Sequence, residues 1–531
     1  MRFILALFLS ILATPAWAQQ TTCSAGVVFA DRNGNAQRDR GERGVAGVKV
    51  SDGVQIAATD NAGRYSLPVA EGRTLFVIKP ANYSFPRRAD GMPDFWRHLR
   101  AQPGPTLRYG GIPVQPAGCR DFALVPERPR GSDALDVLVF ADPQTKSLTD
   151  VGYYERDVIA SVLGSPLSAA AELGISLGDI THDDLSLYPA LNRATAKIGV
   201  PWMHVAGNHD LDFDAASDED SLLTFRNTYG PDTFAWEEPQ AVFIGMDDVI
   251  YRPKPDGGYI GGLREEQFAF LQRYLATVPK QRLVVIGVHI PFFDAAPGKE
   301  TFRHADRERL FAMLKDFPNV LLLSGHSHAQ RHVFHDASTG WHGASPLHEY
   351  NVGAACGAFW SGVKDAQGIP DTTMADGTPN GFATLHIEAD RSYQLAWHPA
   401  RDVDAQIALH APKVLRRGAW PGTAVYANVF MGRDDTRVEY RIDDGEWKSM
   451  QRARQPDPRV IAENMRDDEA AALRGYDRLP EATSSEHLWR GALPTHLDAG
   501  EHRVQVRAFG VVPDHDVVEV ATSYRLVDGA P

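Results

Sequence analysis

Between residues 135 and 326, short apolar runs alternate with amphipathic stretches, and the runs share a way of ending. "LDVLVFAD" (135–142), "GISLGD" (174–179), "PWMHVAGN" (201–208), "AVFIGMDD" (241–248), "LVVIGVH" (283–289) and "VLLLSGH" (320–326) each fit one buried strand, and each stops at Asp, Asn or His. Between them, "REEQFAFLQRYLATV" (264–278) and "RERLFAMLKDF" (307–317) space their apolar residues as helices do. This alternation predicts a layered α/β domain over residues 133–399. On either side the period shortens to two. "GVAGVKVSDG" and "GRYSLPV" predict a small β-sandwich over residues 20–126, closed by the Pro/Arg-rich link "VPERPRGSD" (125–133). From 400 to 531, "RVEYRIDDGEWKSM" predicts a hairpin turning at Asp443-Asp444-Gly445, and "EHRVQVRAFG" an alternating strand of a β-rich domain. The polar stretch 454–480 reads as an insertion with a short helix.

Composition narrows the classes. A chain of 531 residues exceeds one hydrophobic core, and a formal charge of −14 excludes broad attraction to nucleic acid or anionic membrane. Residues 1–18 have the form of a secretory signal peptide: Arg2, an apolar core over 3–13, and the small-x-small site Ala16-Trp17-Ala18. That core is shorter than the roughly 20 residues a bilayer needs. No later stretch is long and apolar enough to span. The mature chain is therefore expected to be periplasmic or secreted, where disulfides persist. Cys23 and Cys119 bracket the first module and make a candidate bridge, which leaves Cys356 over.

The strand ends carry the candidate chemistry. In chain order they offer Asp142, Asp179, Asn208 with His209 and Asp210, His289, and His326 with His328. Ligands of open α/β sheets bind beyond the carboxyl ends of strands, so these groups are expected to meet in one crevice. The ordered blocks Asp142-Pro143-Gln144, Gly178-Asp179, Gly207-Asn208-His209-Asp210, His289 and Gly325-His326-Ser327-His328 resemble those of the calcineurin-like metallophosphoesterases. The loop "ADGTPNG" (375–381) and the flanking modules resemble the bacterial three-part branch with extra N-terminal and C-terminal domains.

The resemblance implies a fold and a centre. The fold is α/β, a layered metallophosphoesterase sandwich flanked by two β-sandwich domains. The centre holds two divalent transition-metal ions, with Asp179 bridging them. Asp142, Gln144 and His328 complete one site; Asn208, His289 and His326 complete the other. An oxygen-and-nitrogen donor set without thiolate suits Mn, Fe, Zn, Co or Ni. Two such cations lower the pKa of a shared water and clamp a phosphoryl group, so hydrolysis by a metal-bridging hydroxide is expected. His209 is placed to protonate the leaving oxygen, and Asp210 either orients that imidazole or caps a turn. Gln144 stands where many relatives have His. The block after Gly178-Asp179 lacks the arginine of Ser/Thr protein phosphatases, which disfavours that activity; His182 and Asp183 there are either substrate contacts or part of a solvated loop. Trp341, Phe359 and Trp360 follow the last ligand and are candidates to frame the substrate.

A second candidate site lies in "DRNGNAQRDRGE" (31–42). Asp31, Asn33, Asn35, Gln37 through its carbonyl, Asp39 and Glu42 occupy the ligand positions of an EF-hand-like calcium loop, with Ala36 where glycine is usual. The module also resembles bacterial cell-surface sandwiches, some of which bind calcium, so a structural calcium is expected there. The leading expectation is a secreted phosphoesterase acting on phosphate esters. Diesters or nucleotide-like esters are slightly favoured, and monoesters remain open. The other class is a cell-surface binding protein with a degenerate phosphoesterase domain, whose flanking domains contact cell-surface material.

Overall fold

The computed structural model describes residues 21–115, 120–127, 133–255, 257–296, 298–420, 422–512 and 515–529, with the side chains of 21–25 and 69 set aside. The expected leader over 1–18 and the Cys23–Cys119 bridge lie outside that description. No helix among the described residues is long and apolar enough to cross a membrane.

The period-two segment at the start forms two four-stranded sheets. One runs Arg64–Val69, Thr21–Ala30, Phe122–Pro126, Tyr83–Ser84; the other runs Ile56–Ala58, Lys49–Ser51, Thr74–Val77, Trp96–His98. The middle of the chain forms two larger sheets. The first orders Trp202–Val205, Leu173–Leu177, Leu135–Phe140, Gly381–Ile387 and Tyr393–Pro399; its first three strands are parallel. The second orders Thr233–Glu237, Ala241–Met246, Leu283–Gly287, Val320–Ser324, Leu347–Asn351 and Arg331–His335, parallel at its centre. The strands expected from the six apolar runs are all present. Those at 173–177, 202–205, 241–246, 283–287 and 320–324 are buried at every residue, as parallel strands covered on both faces must be.

The two helical stretches form as Glu265–Leu275 and His304–Leu314. In the first, Phe268, Phe270, Leu271, Tyr274 and Leu275 are buried, while Glu265 and Glu266 sit in the first turn, where the helix dipole favours negative charge. The sheets meet closely: a Cβ on Gly287 would stand 2.9 Å from Ile175 Cδ1 of the facing sheet. One continuous core runs from Val28 in the first module through the central sheets. Fully buried Trp236 stacks edge-on against Phe85 and Phe95 of the first module, at 5.6 and 5.7 Å. This module is therefore packed on the central domain rather than hung from it.

The last quarter forms two further sheets, one of them holding the long antiparallel pair Gly500–Val512 and His515–Val527. The expected hairpin pairs Val438–Ile442 with Lys448–Ser449 and turns through Asp443 at φ +52. The insertion carries the helix Pro458–Asp468, started by Pro458 and capped by Asp457. The "ADGTPNG" loop is the seam to this domain. Asp376 accepts from the backbone N–H of Gln330 at 2.8 Å and pairs with His487 at 3.1 Å, and Asn428 donates to its carbonyl at 2.9 Å. Gly377 is needed there, because a Cβ would stand 2.3 Å from Asp457 Oδ2.

Candidate metal centre

All seven expected ligands come together past the ends of strands from both central sheets. Asp142 follows Leu135–Phe140, Asp179 follows Leu173–Leu177, Asn208 follows Trp202–Val205, His289 follows Leu283–Gly287, and His326 and His328 follow Val320–Ser324. Five of them have left-handed backbone: Asp142 (φ +48), Gln144 (+38), Asp179 (+49), His326 (+71) and His328 (+47). Each such residue costs about 1–3 kcal/mol, and strain of this kind gathers where the surroundings hold a functional geometry. The glycines of the motifs have a separate cause. A Cβ on Gly207 would lie 2.2 Å from Asp179 Oδ1, and one on Gly325 would lie 2.7 Å from Asp142 Oδ2. Both carboxylates press against the glycine of another block, Asp179 on the third and Asp142 on the last.

The donor atoms face one another. His289 is fully buried, and its Nδ1–H donates to the Leu177 carbonyl at 2.8 Å, which leaves the Nε2 lone pair pointing inward. Nε2 meets Asn208 Oδ1 at 3.1 Å, Asp179 Oδ2 at 3.2 Å and His326 Nδ1 at 3.2 Å. With His289 neutral and its proton on Nδ1, the Nε2 lone pair faces the Asn208 and Asp179 oxygens with no proton between them. Ligands bonded at about 2.1 Å to one ion stand about 3.0–3.4 Å apart, so the spacing suits a cation. On the other side His328 Nδ1 donates to the Gly357 carbonyl at 2.8 Å, and its Nε2 lies 3.5 Å from Asp142 Oδ1. Gln144 turns its amide nitrogen to Asp179 Oδ2 at 3.4 Å and its oxygen to Cys356 Sγ at 3.8 Å. Ligation through that oxygen therefore requires the amide to turn over.

The electrostatics ask for positive charge. Burial works against the ionised forms, yet the Asp179 carboxyl is held well below the usual range by His289, its nearest neighbour in charge. Burial opposes the charged form of His289 as well, but Asp179 and then Asp142 push it up to about 10. His326 is brought down to about 4 by burial and by its neighbour His289. The two carboxylates that raise His289 would likewise favour a divalent cation at this point.

His209 and Asp210 behave differently from one another. His209 donates its backbone N–H to Asp179 Oδ1 at 2.8 Å, and its Nδ1 pairs with Asp183 Oδ1 at 2.6 Å. Its ring lies 4.2 Å from that of His182, nearly parallel at 18°. Although burial lowers the His209 pKa, the Asp183 hydrogen bond carries it above the ordinary value. Asp210 does not orient this imidazole, which corrects the first of its two sequence readings. Its carboxylate is fully buried, turned the other way, and accepts from the backbone N–H groups of Gly207 (2.9 Å), Ile180 (3.1 Å) and Thr181 (3.3 Å) and from the Tyr188 hydroxyl (3.0 Å). Burial and the charge of Asp179 push it up to about 7. It is the turn cap, and Asp183 holds the histidine.

Three more residues lacked a role in the sequence. Buried Cys356 lies 3.7 Å from His328 Nδ1 and 3.8 Å from Gln144 Oε1, and nothing in its "GAACGAF" surroundings signals that. Asp248 accepts from the N–H groups of His289 and Ile290 at 3.2 and 3.1 Å, so it fixes the loop of that ligand. The strand-end rule applied to "AVFIGMDD" would have found it. Tyr259 stands edge-on to His326 at 5.9 Å. Of the aromatic candidates, Phe359 stacks on His328 at 4.3 Å and Trp360 donates to the Pro143 carbonyl at 2.9 Å. Trp341 is not at the mouth; it packs against Phe311 of the helix His304–Leu314, 5.8 Å between rings.

The calcium candidates are gathered too. Asp31 accepts from the N–H groups of Asn33, Gly34 and Ala36 at 3.2, 2.7 and 2.8 Å, and Ala36 takes the left-handed turn at φ +59 without glycine. The amides of Asn33 and Asn35 both donate to Asp39 at 2.8 Å, and Glu42 accepts from the N–H of Asp39 at 3.0 Å. Gln37 donates its N–H to Asn35 at 2.8 Å. The acidic groups thus point at neighbours within the loop.

Comparison with known proteins bears on the family. The profile for calcineurin-like phosphoesterases matches residues 135–330. Those for the N-terminal and C-terminal parts of calcineurin-like phosphoesterases match 31–108 and 349–512. The third begins inside the central sheets, at the strand Leu347–Asn351. Among curated proteins, the "Probable glycerophosphodiester phosphodiesterase" of Arcobacter nitrofigilis is 26% identical over 232 residues, 40% of this chain and 79% of that protein. A leucine–tRNA ligase of Polynucleobacter necessarius is 24% identical over 217 residues, 36% of this chain; the chain spans only 24% of the ligase. Among solved structures, a dimetal phosphatase from Danio rerio aligns with 14% identity and a TM-score of 0.33, over 48% of this chain and 93% of that one. The three profiles in order, over strands that bring the motif residues to one crevice, place the chain among the calcineurin-like phosphoesterases, a family of metal-dependent phosphoric ester hydrolases, in the branch with N-terminal and C-terminal extensions.

Proposed function

We propose that this protein is a secreted or periplasmic two-metal phosphoesterase that hydrolyses phosphate esters, with diesters its preferred class. The observation that carries the reading is the convergence of Asn208 Oδ1, Asp179 Oδ2 and His326 Nδ1 within about 3.2 Å of His289 Nε2, with Asp179 and His326 on left-handed backbone. Asp142, Gln144, His328 and Asp179 would hold one ion, and Asn208, His289, His326 and Asp179 would hold the other. When bound, such ions supply an activated water and stabilise charge on the phosphoryl oxygens.

The chain's own residues do the rest. With Nδ1 engaged by Asp183, His209 keeps Nε2 as the nitrogen that donates a proton to the leaving oxygen. Phe359 and Trp360 brace the His328 and Gln144 turns, and Asp248 braces that of His289. The likeness to a protein named for glycerophosphodiesters supports the diester preference. The signal-like residues 1–18 support export. The loop from Asp31 to Glu42 is proposed to take a structural calcium once the Asn33 and Asn35 amides turn their oxygens inward.

Metal analysis of the purified chain, together with turnover of p-nitrophenyl phosphate and bis-p-nitrophenyl phosphate in added Mn²⁺, tests the proposal. Bound transition metal and faster hydrolysis of the diester are expected. A chain that binds no metal and cleaves neither ester is a binding protein with a degenerate catalytic domain.

A further inference from the structure

A strap of the N-terminal module, residues 104–112, crosses onto the central domain beside the catalytic loops. Its apolar anchors Leu107 and Ile112 are buried in the shared core. Between them the backbone N–H of Arg108 donates to Asp214 Oδ2 at 2.8 Å, and that of Gly111 donates to Thr224 Oγ1 at 3.1 Å. These four contacts pin the strap without help from Tyr109. The phenol of Tyr109 nevertheless reaches the loop that carries the histidine's partner, and its hydroxyl donates to the Asp183 carbonyl at 3.0 Å.

That loop needs holding. Asp183 is left-handed at φ +68, an arrangement that persists only where neighbours over-determine it. Its N–H returns to the His209 carbonyl at 3.2 Å, its carboxylate takes His209 Nδ1 at 2.6 Å, and the preceding His182 donates its N–H to the Thr145 carbonyl at 3.0 Å. Each of those contacts comes from the central domain. The Tyr109 hydroxyl holds the loop from the opposite module.

We propose that Tyr109 is a positioning residue for the reaction: the N-terminal module, through this hydroxyl, fixes Asp183 and thereby aims His209 at the leaving oxygen. The inference rests on the phosphoesterase reading above and goes beyond it, because it makes the flanking module a working part of the active site rather than a separate recognition domain. Tyr109→Phe removes the hydroxyl alone and leaves the four anchors of the strap in place.

The test is a double-mutant cycle in the full-length, metal-loaded chain: wild type, Tyr109→Phe, His209→Ala and the double variant, each with an alkyl ester and with the p-nitrophenyl ester. Loss of one neutral hydrogen bond predicts a fall in kcat of about three- to tenfold for the alkyl ester, with KM little changed and a smaller fall for the p-nitrophenyl ester. In the His209→Ala background the same substitution should cost almost nothing further, since both changes remove one function. Equal losses for both esters, a full loss repeated in the His209→Ala background, or no loss at all would overturn the role of Tyr109 while leaving the phosphoesterase reading intact. If wild type turns over neither ester, that reading fails and takes this inference with it. Metal content and the thermal midpoint serve as controls; a uniform fall in rate with a lowered midpoint means the hydroxyl is structural, and also overturns the proposal.

Discussion

The substitution Asp183→Asn keeps the shape beside His209 Nδ1 and removes the charge. The contact is short, 2.6 Å, and charge-assisted whenever the imidazole is protonated; hydrogen bonds of that kind are worth about 1.5–3 kcal/mol. Half of the Asp183 side chain is exposed (50%), so solvent screens the pair and about 1 kcal/mol is the fitting figure. That corresponds to roughly fivefold in kcat for an ester whose alkoxide needs a proton, against about 10²–10⁴ when the whole donor is removed in His209→Ala. Asp210→Asn should behave otherwise. Asp210 accepts from three backbone N–H groups and the Tyr188 hydroxyl, and an amide cannot satisfy all of them. Each buried donor left without an acceptor costs about 1–3 kcal/mol. The loss should appear as a lower unfolding midpoint and a uniform drop in rate. The assay is kcat against leaving-group pKa over a series of aryl and alkyl esters. If Asp210→Asn steepens that dependence at unchanged stability, and Asp183→Asn leaves it flat, the assignment of the two carboxylates is wrong.

Other expectations come from the same geometry. In Gly207→Ala the new Cβ would lie 2.2 Å from Asp179 Oδ1, so the Asp179 carboxylate must move; bound metal should be lost and activity should fall by about a hundredfold or more, as metal analysis and kinetics would show. Gln144→His exchanges an amide for a stronger imidazole donor, and titration calorimetry should find metal bound at least as tightly as by wild type; weaker binding would remove Gln144 from the ligand set. His204 is a pH liability away from the metal ligands. Burial alone brings it down to about 3, neither ring nitrogen has a partner among the described residues, and its ring packs on Tyr229 at 4.2 Å. The unfolded imidazole takes up a proton near pH 6.5 and the folded one does not, so stability is complete above that value and declines as the pH falls toward 3. At pH 5 the loss is about 2 kcal/mol. His204→Phe keeps the ring contact, and its urea midpoint should depend less on pH between 8 and 5 by that amount; an unchanged dependence would contradict a neutral His204.

The contribution of the N-terminal module changes how the three-part arrangement is understood. Its sheets share a core with the central domain through Phe85, Phe95 and Trp236, and its strap touches the loop of Asp183. The C-terminal domain meets the central one at Asp376, whose carboxylate pairs with His487 and takes the N–H of Gln330, two residues beyond His328. Burial opposes ionisation of Asp376, yet its hydrogen bond with His487 holds its carboxyl below the ordinary value. Both extensions therefore bear on segments that carry the metal-centre residues.

Periodicity alone determined the layered centre, because parallel strands buried on both faces leave uninterrupted apolar runs, and a run that ends in Asp, Asn or His marks the crevice edge. The strand-end donors Asp142, Asp179, Asn208, His289, His326 and His328 were legible for the same reason, since each lies within four residues of a strand end, whereas Gln144 and the division into two sites came from the family resemblance. What the sequence withheld was the direction in which neighbouring side chains turn and which distant loops meet. Asp210 is adjacent to His209 but points into a cage of backbone N–H groups, while Asp183, 26 residues away, takes the imidazole. Cys356 reaches Gln144 across 212 residues, and Tyr109 reaches Asp183 across 74. Such pairings depend on how two sheets and a flanking module close over one another. Local pattern carries no record of that closure, so only the tertiary structure decided which residues serve the centre from outside it.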